Sequence, residues 1–201
     1  MAFQFAIALT GGIGTGKSTL SALLQLNGLR IIDADKVAHE TLQQSSDEVA
    51  ELFGSQYLDN GVVNRKKLGG LIFSDKSAKE KLENLLHPKI FKKIEAESEK
   101  LDKFKFPYLI DIPLFFETKR YPIENVIVVY SPKSLQIERV MNRDSVSKEE
   151  ALRRIDSQIS IEEKRDKASI LVDNSGNLKQ LQSEAEKVVK RISELKNAIL
   201  R

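Results

Sequence analysis

A chain of 201 residues can bury about 70% of the surface that its unfolded form exposes, enough for one core with a small inserted subdomain. A hydrophobic share of 41% and a charged share of 30% are ordinary for globular proteins and argue against a disordered or membrane-embedded chain. No cysteine is present, which excludes disulfides and thiolate metal sites, and the net charge of +3 is too small to argue for nucleic acid, although it suits a polyanionic small molecule.

Taken in order, Phe3 to Leu9 is apolar and ends abruptly at Thr10, as a buried parallel strand does. Gly11-Gly12-Ile13-Gly14-Thr15-Gly16-Lys17-Ser18 follows, a full match to the phosphate-binding loop pattern. Thr19 to Leu26 then reads as a helix stopped by Asn27-Gly28. The glycines allow backbone conformations closed to other residues and turn N–H groups inward around a phosphate, with the positive end of the helix behind them. Lys17 would reach the β- and γ-phosphates, and the Ser18 hydroxyl would coordinate Mg²⁺. The alternative is a glycine-rich turn that holds nothing.

Leu29 to Ile32 is a short second strand that delivers Asp33-Ala34-Asp35 at its carboxyl end, where ligands bind in open α/β sheets. Helix is expected from Lys36 to about Thr41 and, after the cap Ser45-Ser46-Asp47, from Glu48 to Phe53. Asp59-Asn60-Gly61 is a turn, Arg65 to Phe73 a helix, and Ser74 or Asp75 a cap for another. Lys76 to Lys103 has helical spacing of leucines and isoleucines, interrupted by His87-Pro88. Phe106 to Ile110 is the third strand, closing with Asp111-Ile112-Pro113, and the β-branched run Asn125 to Tyr130 is a central fourth. Ser131-Pro132 starts a helix that continues to about Asp144, and Ser147 to Glu150 is a capping box for the next. Ala168 to Val172 is the fifth strand, Asp173 to Gly176 a turn, and Asn177 opens an amphipathic helix with Leu178, Leu181, Ala185, Val188, Ile192, Leu195 and Ile199 on its apolar side. Strands alternating with helices predict an α/β fold with a five-stranded parallel sheet flanked by helices. The N-terminus enters a strand at once, without a signal segment, and no apolar run reaches about 18 residues, so a soluble cytoplasmic protein with no membrane partner is expected.

A phosphate loop says only that a nucleotide is bound, so other residues must decide the reaction. Asp173-Asn174-Ser175-Gly176 has the Asp-x-x-Gly form of GTPases but follows the last strand, and no Asn-Lys-x-Asp guanine reader exists in the sequence. Asp33, beside the loop, can hold a substrate hydroxyl for in-line attack on the γ-phosphate. The competing reading, a helix N-cap, suits Asp35 better. Asp111 stands where a carboxylate would help to hold Mg²⁺ through water, or it simply caps a loop. Arg139, Arg143, Arg153, Arg154 and Arg165 crowd one segment. Arg139 and Arg143 share a helix face, and this region would close over the phosphates as a lid, with an arginine meeting the migrating phosphoryl group. The plain alternative is solvated arginines paired with neighbouring acids.

The sequence resembles the dephospho-coenzyme A kinase family nearly end to end. The resemblance is carried by Leu9 to Ser18, by Ile32-Asp33-Ala34-Asp35 with Ala38, by Leu86-His87-Pro88, and by Asp111-Ile112-Pro113-Leu114-Phe115-Phe116-Glu117. Gln136, Arg139, Arg143-Asp144, Arg154-Ile155 and Gln158 match the lid, and Lys164, Ala168 and Asp173 to Gly176 the final part. Thr15, Phe115 and Ser169 depart from the usual residues and touch no proposed catalytic group.

The resemblance implies a P-loop NTPase-type fold in one domain spanning 1–201. Its nucleotide core would be 1–35 and 104–201, its helical acceptor-binding insertion 36–103, and its lid about 139–167. It implies ATP and Mg²⁺ as cofactors and transfer of the γ-phosphate to the ribose 3′-hydroxyl of dephospho-coenzyme A. Asp33, Lys17, Arg143 and Arg139 would be catalytic. Gly12, Gly14, Thr15, Gly16, Lys17, Ser18, Thr19, Asn174 and Gly176 would hold ATP, while Asp33, Asp35, His87 and Arg154 would hold the acceptor, with Ser18 and Asp111 on the metal. The alternative for His87 is a packed helix-start residue, and for Phe115 and Phe116 a place in the core rather than on the wall of a pantetheine path. A monomer or small homo-oligomer is expected. The rivals are another nucleoside or nucleotide kinase of this architecture, a nucleotide-binding protein without turnover, and a basic RNA-binding protein. Asp33 and the lid arginines speak against mere binding, and the scatter of Lys and Arg among acids speaks against nucleic acid.

Overall fold

The structure, a computed structural model, describes the backbone of residues 2–199 and the side chains as far as residue 195, so the side chain of Ile199 lies outside the described residues. It divides into two compact units, Met1–Ile32 with Ser98–Arg201, and Asp33–Glu97.

In the first unit β1 (Ala6–Gly11) leads through the glycine loop into α1 (Lys17–Leu26) and on to β2 (Ile31–Asp33). Beyond the second unit the chain continues through β5 (Tyr108–Asp111), α6 (Phe115–Thr118), β6 (Val126–Tyr130), α7 (Lys133–Asp144), α8 (Lys148–Asp156), α9 (Ile161–Asp166), β7 (Ile170–Asp173) and α10 (Leu178–Ile199). The strands form one five-stranded sheet in the order β2-β5-β1-β6-β7. Parallel pairing sets Leu9 against Asp111, Gly11 against Val129, and Val129 against Val172. At the outer edge Leu109 N donates to the Arg30 carbonyl at 2.9 Å.

β1 begins and ends later than the apolar run suggested. Its pairing with β6 carries it through Thr10 and Gly11, and the buried Thr10 hydroxyl is satisfied by the Pro113 carbonyl at 3.0 Å. The sheet is apolar on both faces, as a parallel sheet between helices must be. Ile7, Leu9, Leu109, Ile127 and Val129 pack with Leu20 and Leu24 of α1 and Leu181, Ala185 and Val188 of α10. Ala8, Ile110 and Val128, which alternate with them, are equally buried.

The second unit contains α2 (Ala34–Gln44), α3 (Ser46–Phe53), a hairpin of β3 (Leu58–Asp59) and β4 (Val62–Val63), α4 (Arg65–Ser74) and most of α5 (Lys76–Asp102). Its core is Val49, Val63, Leu68, Leu82 and Leu86. Asn60 and Gly61 take φ of 51° and 81°, the pair of left-handed residues that a two-residue hairpin turn requires, so the predicted turn carries two short strands as well.

Two expectations are corrected here. α5 runs unbroken through Pro88, where an interruption was predicted. A mid-helix proline costs about 3 kcal/mol, but Leu82 and Leu86 before it and Ile94 after it are buried, and Lys89 joins Glu48 and the Ser45 hydroxyl. The cap of α2 is Asp33, not Asp35: Asp33 Oδ1 accepts from Lys36 N at 2.9 Å, while Asp35 lies in the first turn. Among the described residues no helix is long and apolar enough to cross a membrane.

The central position of β6 makes a direct prediction. Ile127 is fully buried, so Ile127→Ala should lower the unfolding free energy by about 2–5 kcal/mol in urea titration; a loss below about 1 kcal/mol would mean that this sheet face is not the core of the unit.

Candidate active site

The glycine loop occupies the carboxyl end of β1, and its shape depends on the side chains behind it. Gly14 and Gly16 have φ of 80° and 85°, a region that other residues rarely enter. A Cβ on Gly14 would stand 2.7 Å from the Gln136 carbonyl of α7, and one on Gly16 would stand 2.2 Å from Asn174 Nδ2. The loop is thus glycine-rich both for its torsions and because neighbouring elements press on it.

Hydrogen bonds hold this arrangement in place. Thr15 is fully buried and turns its hydroxyl back onto the Gly12 carbonyl at 2.8 Å. The Thr15 carbonyl accepts from Asn174 Nδ2 at 2.7 Å, and the Ile13 N–H donates to Gln158 Oε1 at 3.0 Å. Arg139 faces the same side: its guanidinium donates to the carbonyls of Asn174 at 3.0 Å and Gly14 at 3.4 Å and to the Ser131 hydroxyl at 3.0 Å. Gln136, also buried, donates to the Ser131 carbonyl at 2.8 Å. Arg139 and Asn174 were singled out from the sequence as ligand-contacting residues, and in this structure both grip the loop's outer backbone. The supporting contacts of Ser131, Gln136 and Gln158 were not foreseen. Their signal, a polar residue on a buried helix face or turn, is too common to read without the fold.

At the mouth of the loop, Gly16 caps α1 and the first turn follows at once with Lys17, Ser18 and Thr19. Ser18 and Thr19 are exposed. Lys17 forms an ion pair with Asp111, the last residue of β5, which the register places beside β1. The pairing brings together two residues predicted for the phosphate and metal side of one site, and a loop cation held by a carboxylate is ready to exchange it for phosphate oxygens.

The remaining arginines form a second group. Arg143 is exposed and meets Asp144 with both arms, Nε to Oδ1 at 2.7 Å and a terminal nitrogen to Oδ2 at 3.0 Å. Arg154 reaches the same carboxylate at 2.9 Å and Glu150 at 3.0 Å. The Arg143 guanidinium, with Arg154 adding its charge, holds the Asp144 carboxyl below its ordinary range. Gly176 is exposed in the turn after β7, where a Cβ would collide with the Gln180 side chain. The other predicted residues belong to the second unit: Asp33 and Asp35 open α2, both exposed, and His87 is half-buried in the middle of α5.

The family model for dephospho-CoA kinase matches residues 5–180. The chain belongs to the dephospho-CoA kinase family. It is 58% identical over 192 residues to the dephospho-CoA kinase of Sulfurimonas denitrificans, covering 96% of each chain, and 44% identical to that of Helicobacter pylori strain J99, covering 96% of this chain and all of the other. Among solved structures it is similar to the dephospho-CoA kinase of Campylobacter jejuni, with a TM-score of 0.76, 39% identity and coverage of 94% and 97%. The protein TT1252 of Thermus thermophilus gives a TM-score of 0.78 at 32% identity, over 93% of this chain and 97% of the other. Membership of a kinase family implies ATP as a substrate.

The geometry of the loop can be tested at two glycines that share a torsion but not an environment. Gly28 has φ of 86° and nothing within 4 Å of a would-be Cβ, whereas Gly14 meets a backbone carbonyl. Gly28→Ala should cost about 1–2 kcal/mol of stability and leave ATP affinity unchanged. Gly14→Ala should weaken ATP binding by roughly tenfold or more, read by calorimetry; equal ATP affinities for the two variants would contradict the fit described.

Proposed function

We propose that this kinase transfers the γ-phosphoryl group of ATP to the ribose 3′-hydroxyl of dephospho-coenzyme A, releasing coenzyme A and ADP, the last step of coenzyme A synthesis. The observation that carries the reading is the phosphate loop with Lys17 held against Asp111 at its mouth, in a chain of this family. The loop amides and the N-terminus of α1 would bind the ATP phosphates, and Lys17 would leave Asp111 for the β- and γ-phosphate oxygens.

Asp33 is the proposed base. Its carboxylate would orient the 3′-hydroxyl and take its proton while the oxygen attacks the γ-phosphorus; the bond from that phosphorus to the bridging oxygen breaks, and ADP carries the electrons away. A carboxylate that ends a strand and caps the next helix is held by its own backbone, which favours a fixed direction of approach. Lys17 and Arg143 would offset the charge that spreads over the migrating group. Arg143 is suited to this because it is exposed and bound only to its neighbour's carboxylate in the contacts described. Arg139 would contribute through the loop it holds, and Asn174 and Gly176 would lie near the adenine of ATP.

The metal side fits Mg²⁺ in its chemistry. The Ser18 hydroxyl and the Asp111 carboxylate are hard oxygen donors, and Mg²⁺ keeps most of its waters and shares phosphate oxygens rather than needing a protein cage. Among the described residues no group of three or more His, Cys, Asp or Glu that could hold a metal ion by itself occurs. When bound, the ion would neutralise charge on the β- and γ-phosphates. Asp35, His87 and Arg154 are proposed to contact the acceptor, and the segment from about 139 to 167 to act as the lid.

ADP release by the purified protein with Mg-ATP tests the proposal, with dephospho-coenzyme A, AMP, CMP, UMP or adenosine offered as acceptor. Dephospho-coenzyme A should be strongly preferred, and Asp33→Asn should keep its affinity for ATP while kcat falls by about 10²–10⁴-fold. Preference for a nucleoside or nucleotide would refute the acceptor; an Asp33→Asn enzyme with nearly full kcat would refute the base.

A further inference from the structure

We infer that Lys164 and Glu117 are positioning residues that clamp the base of the phosphate loop to the segment between α8 and α9, and so set the loop's grip on nucleotide. The inference rests on the reading that ATP binds this loop. Lys164 lies in α9 with its side chain fully buried, so it cannot touch a ligand in this arrangement. An enclosed ammonium is costly unless it is paired and its donors are used. Its Nζ donates to the Gly11 carbonyl at 3.1 Å and pairs with Glu117 Oε1 of α6 at 2.7 Å.

The position of that carbonyl is what gives the contact a consequence. Gly11 is the last residue of β1, where the chain leaves the sheet for the loop. On its other side there is no slack: a Cβ built on Gly11 would lie 2.7 Å from the Thr15 hydroxyl and 2.9 Å from the Val129 carbonyl. The same Glu117 oxygen accepts the Ile159 N–H at 3.2 Å, and the adjacent Gln158 accepts the Ile13 N–H at 3.0 Å. The α8–α9 segment therefore holds the loop on both sides of Gly12, once through Gln158 directly and once through the Glu117–Lys164 pair.

Stability alone is a poor reason for this arrangement. A buried ion pair is commonly matched or bettered by apolar side chains of similar volume. Here the second carboxylate oxygen, Glu117 Oε2, is also buried without a hydrogen-bond partner among the described residues, which adds a desolvation cost. What an apolar pair could not do is hold a backbone carbonyl at the loop's root. Because α9 also belongs to the segment proposed as the lid, the clamp lies where lid and loop must agree in position.

The test compares Lys164→Met, Glu117→Gln and the double variant Lys164→Met/Glu117→Leu with the unaltered protein, well below each unfolding midpoint. ATP affinity is measured by calorimetry, and kcat and KM with dephospho-coenzyme A as acceptor. Every variant should bind ATP roughly tenfold or more weakly, with the KM for dephospho-coenzyme A within about twofold of normal. The double variant should regain the melting temperature that Lys164→Met loses without regaining ATP affinity. If Lys164→Met does not fold, the other two variants decide. An ATP affinity changed by less than about tenfold in any folded variant, or one restored together with stability in the double variant, would overturn the inference. Failure of the unaltered protein to phosphorylate dephospho-coenzyme A, with these ATP affinities as expected, would count against the acceptor and not against the clamp.

Discussion

A backbone that binds phosphate must keep its amides turned inward before any phosphate arrives, and here that shape is imposed from outside the loop. Gly14 and Gly16 adopt left-handed torsions with the Gln136 carbonyl and the Asn174 amide pressed against them. Asn174 and Arg139 hold carbonyls on the outer side of the loop, and Thr15 folds back onto Gly12. The pieces come from α7, from the end of β7 and from the α8–α9 segment, elements far apart in sequence that the parallel sheet brings to one edge. Preorganisation of this kind lowers the ordering cost of binding, which is otherwise drawn from affinity.

Charge in the site follows a common pattern. Lys17 is paired with Asp111, Arg143 and Arg154 converge on Asp144, and Lys164 is closed against Glu117. A carboxylate beside each cation holds it in place, at little net cost where the pair lies at the surface. The pairs differ in what they can do. Arg143 and Arg154 are partly or largely exposed, and their pairs can open to solvent. Lys164 is enclosed and stays where it is. An exposed pair suits exchange, and a buried one suits fixing a backbone.

Much of this was legible in the sequence because it is written in local patterns. The β-branched run Val126–Tyr130 and the glycine loop between a strand and a helix depend on few residues each, and the fold class followed from their alternation. The contacts that shape the site were not legible, since Arg139 and Asn174 look the same whether they face a nucleotide or the back of a loop. Pro88 shows the same limit in the fold: the local rule predicts a broken helix, and burial on both sides of it keeps α5 whole. Asp33 shows it at the site. The local pattern assigns the cap to Asp35, and β2 ending on Asp33 gives it to Asp33 instead. Lys164 could be recognised in the sequence as a family position, but its enclosure is a property of packing alone.

The most direct test of the account is the identity of the product. Dephospho-coenzyme A incubated with Mg-ATP and the enzyme should yield a compound heavier by one phosphoryl group in mass spectrometry. Its phosphorus NMR spectrum should gain a single monoester resonance coupled to the ribose 3′ proton. A product phosphorylated elsewhere on the ribose or on the pantetheine arm would contradict the proposed placement of the hydroxyl, and an unchanged acceptor beside released ADP would contradict phosphoryl transfer to it altogether.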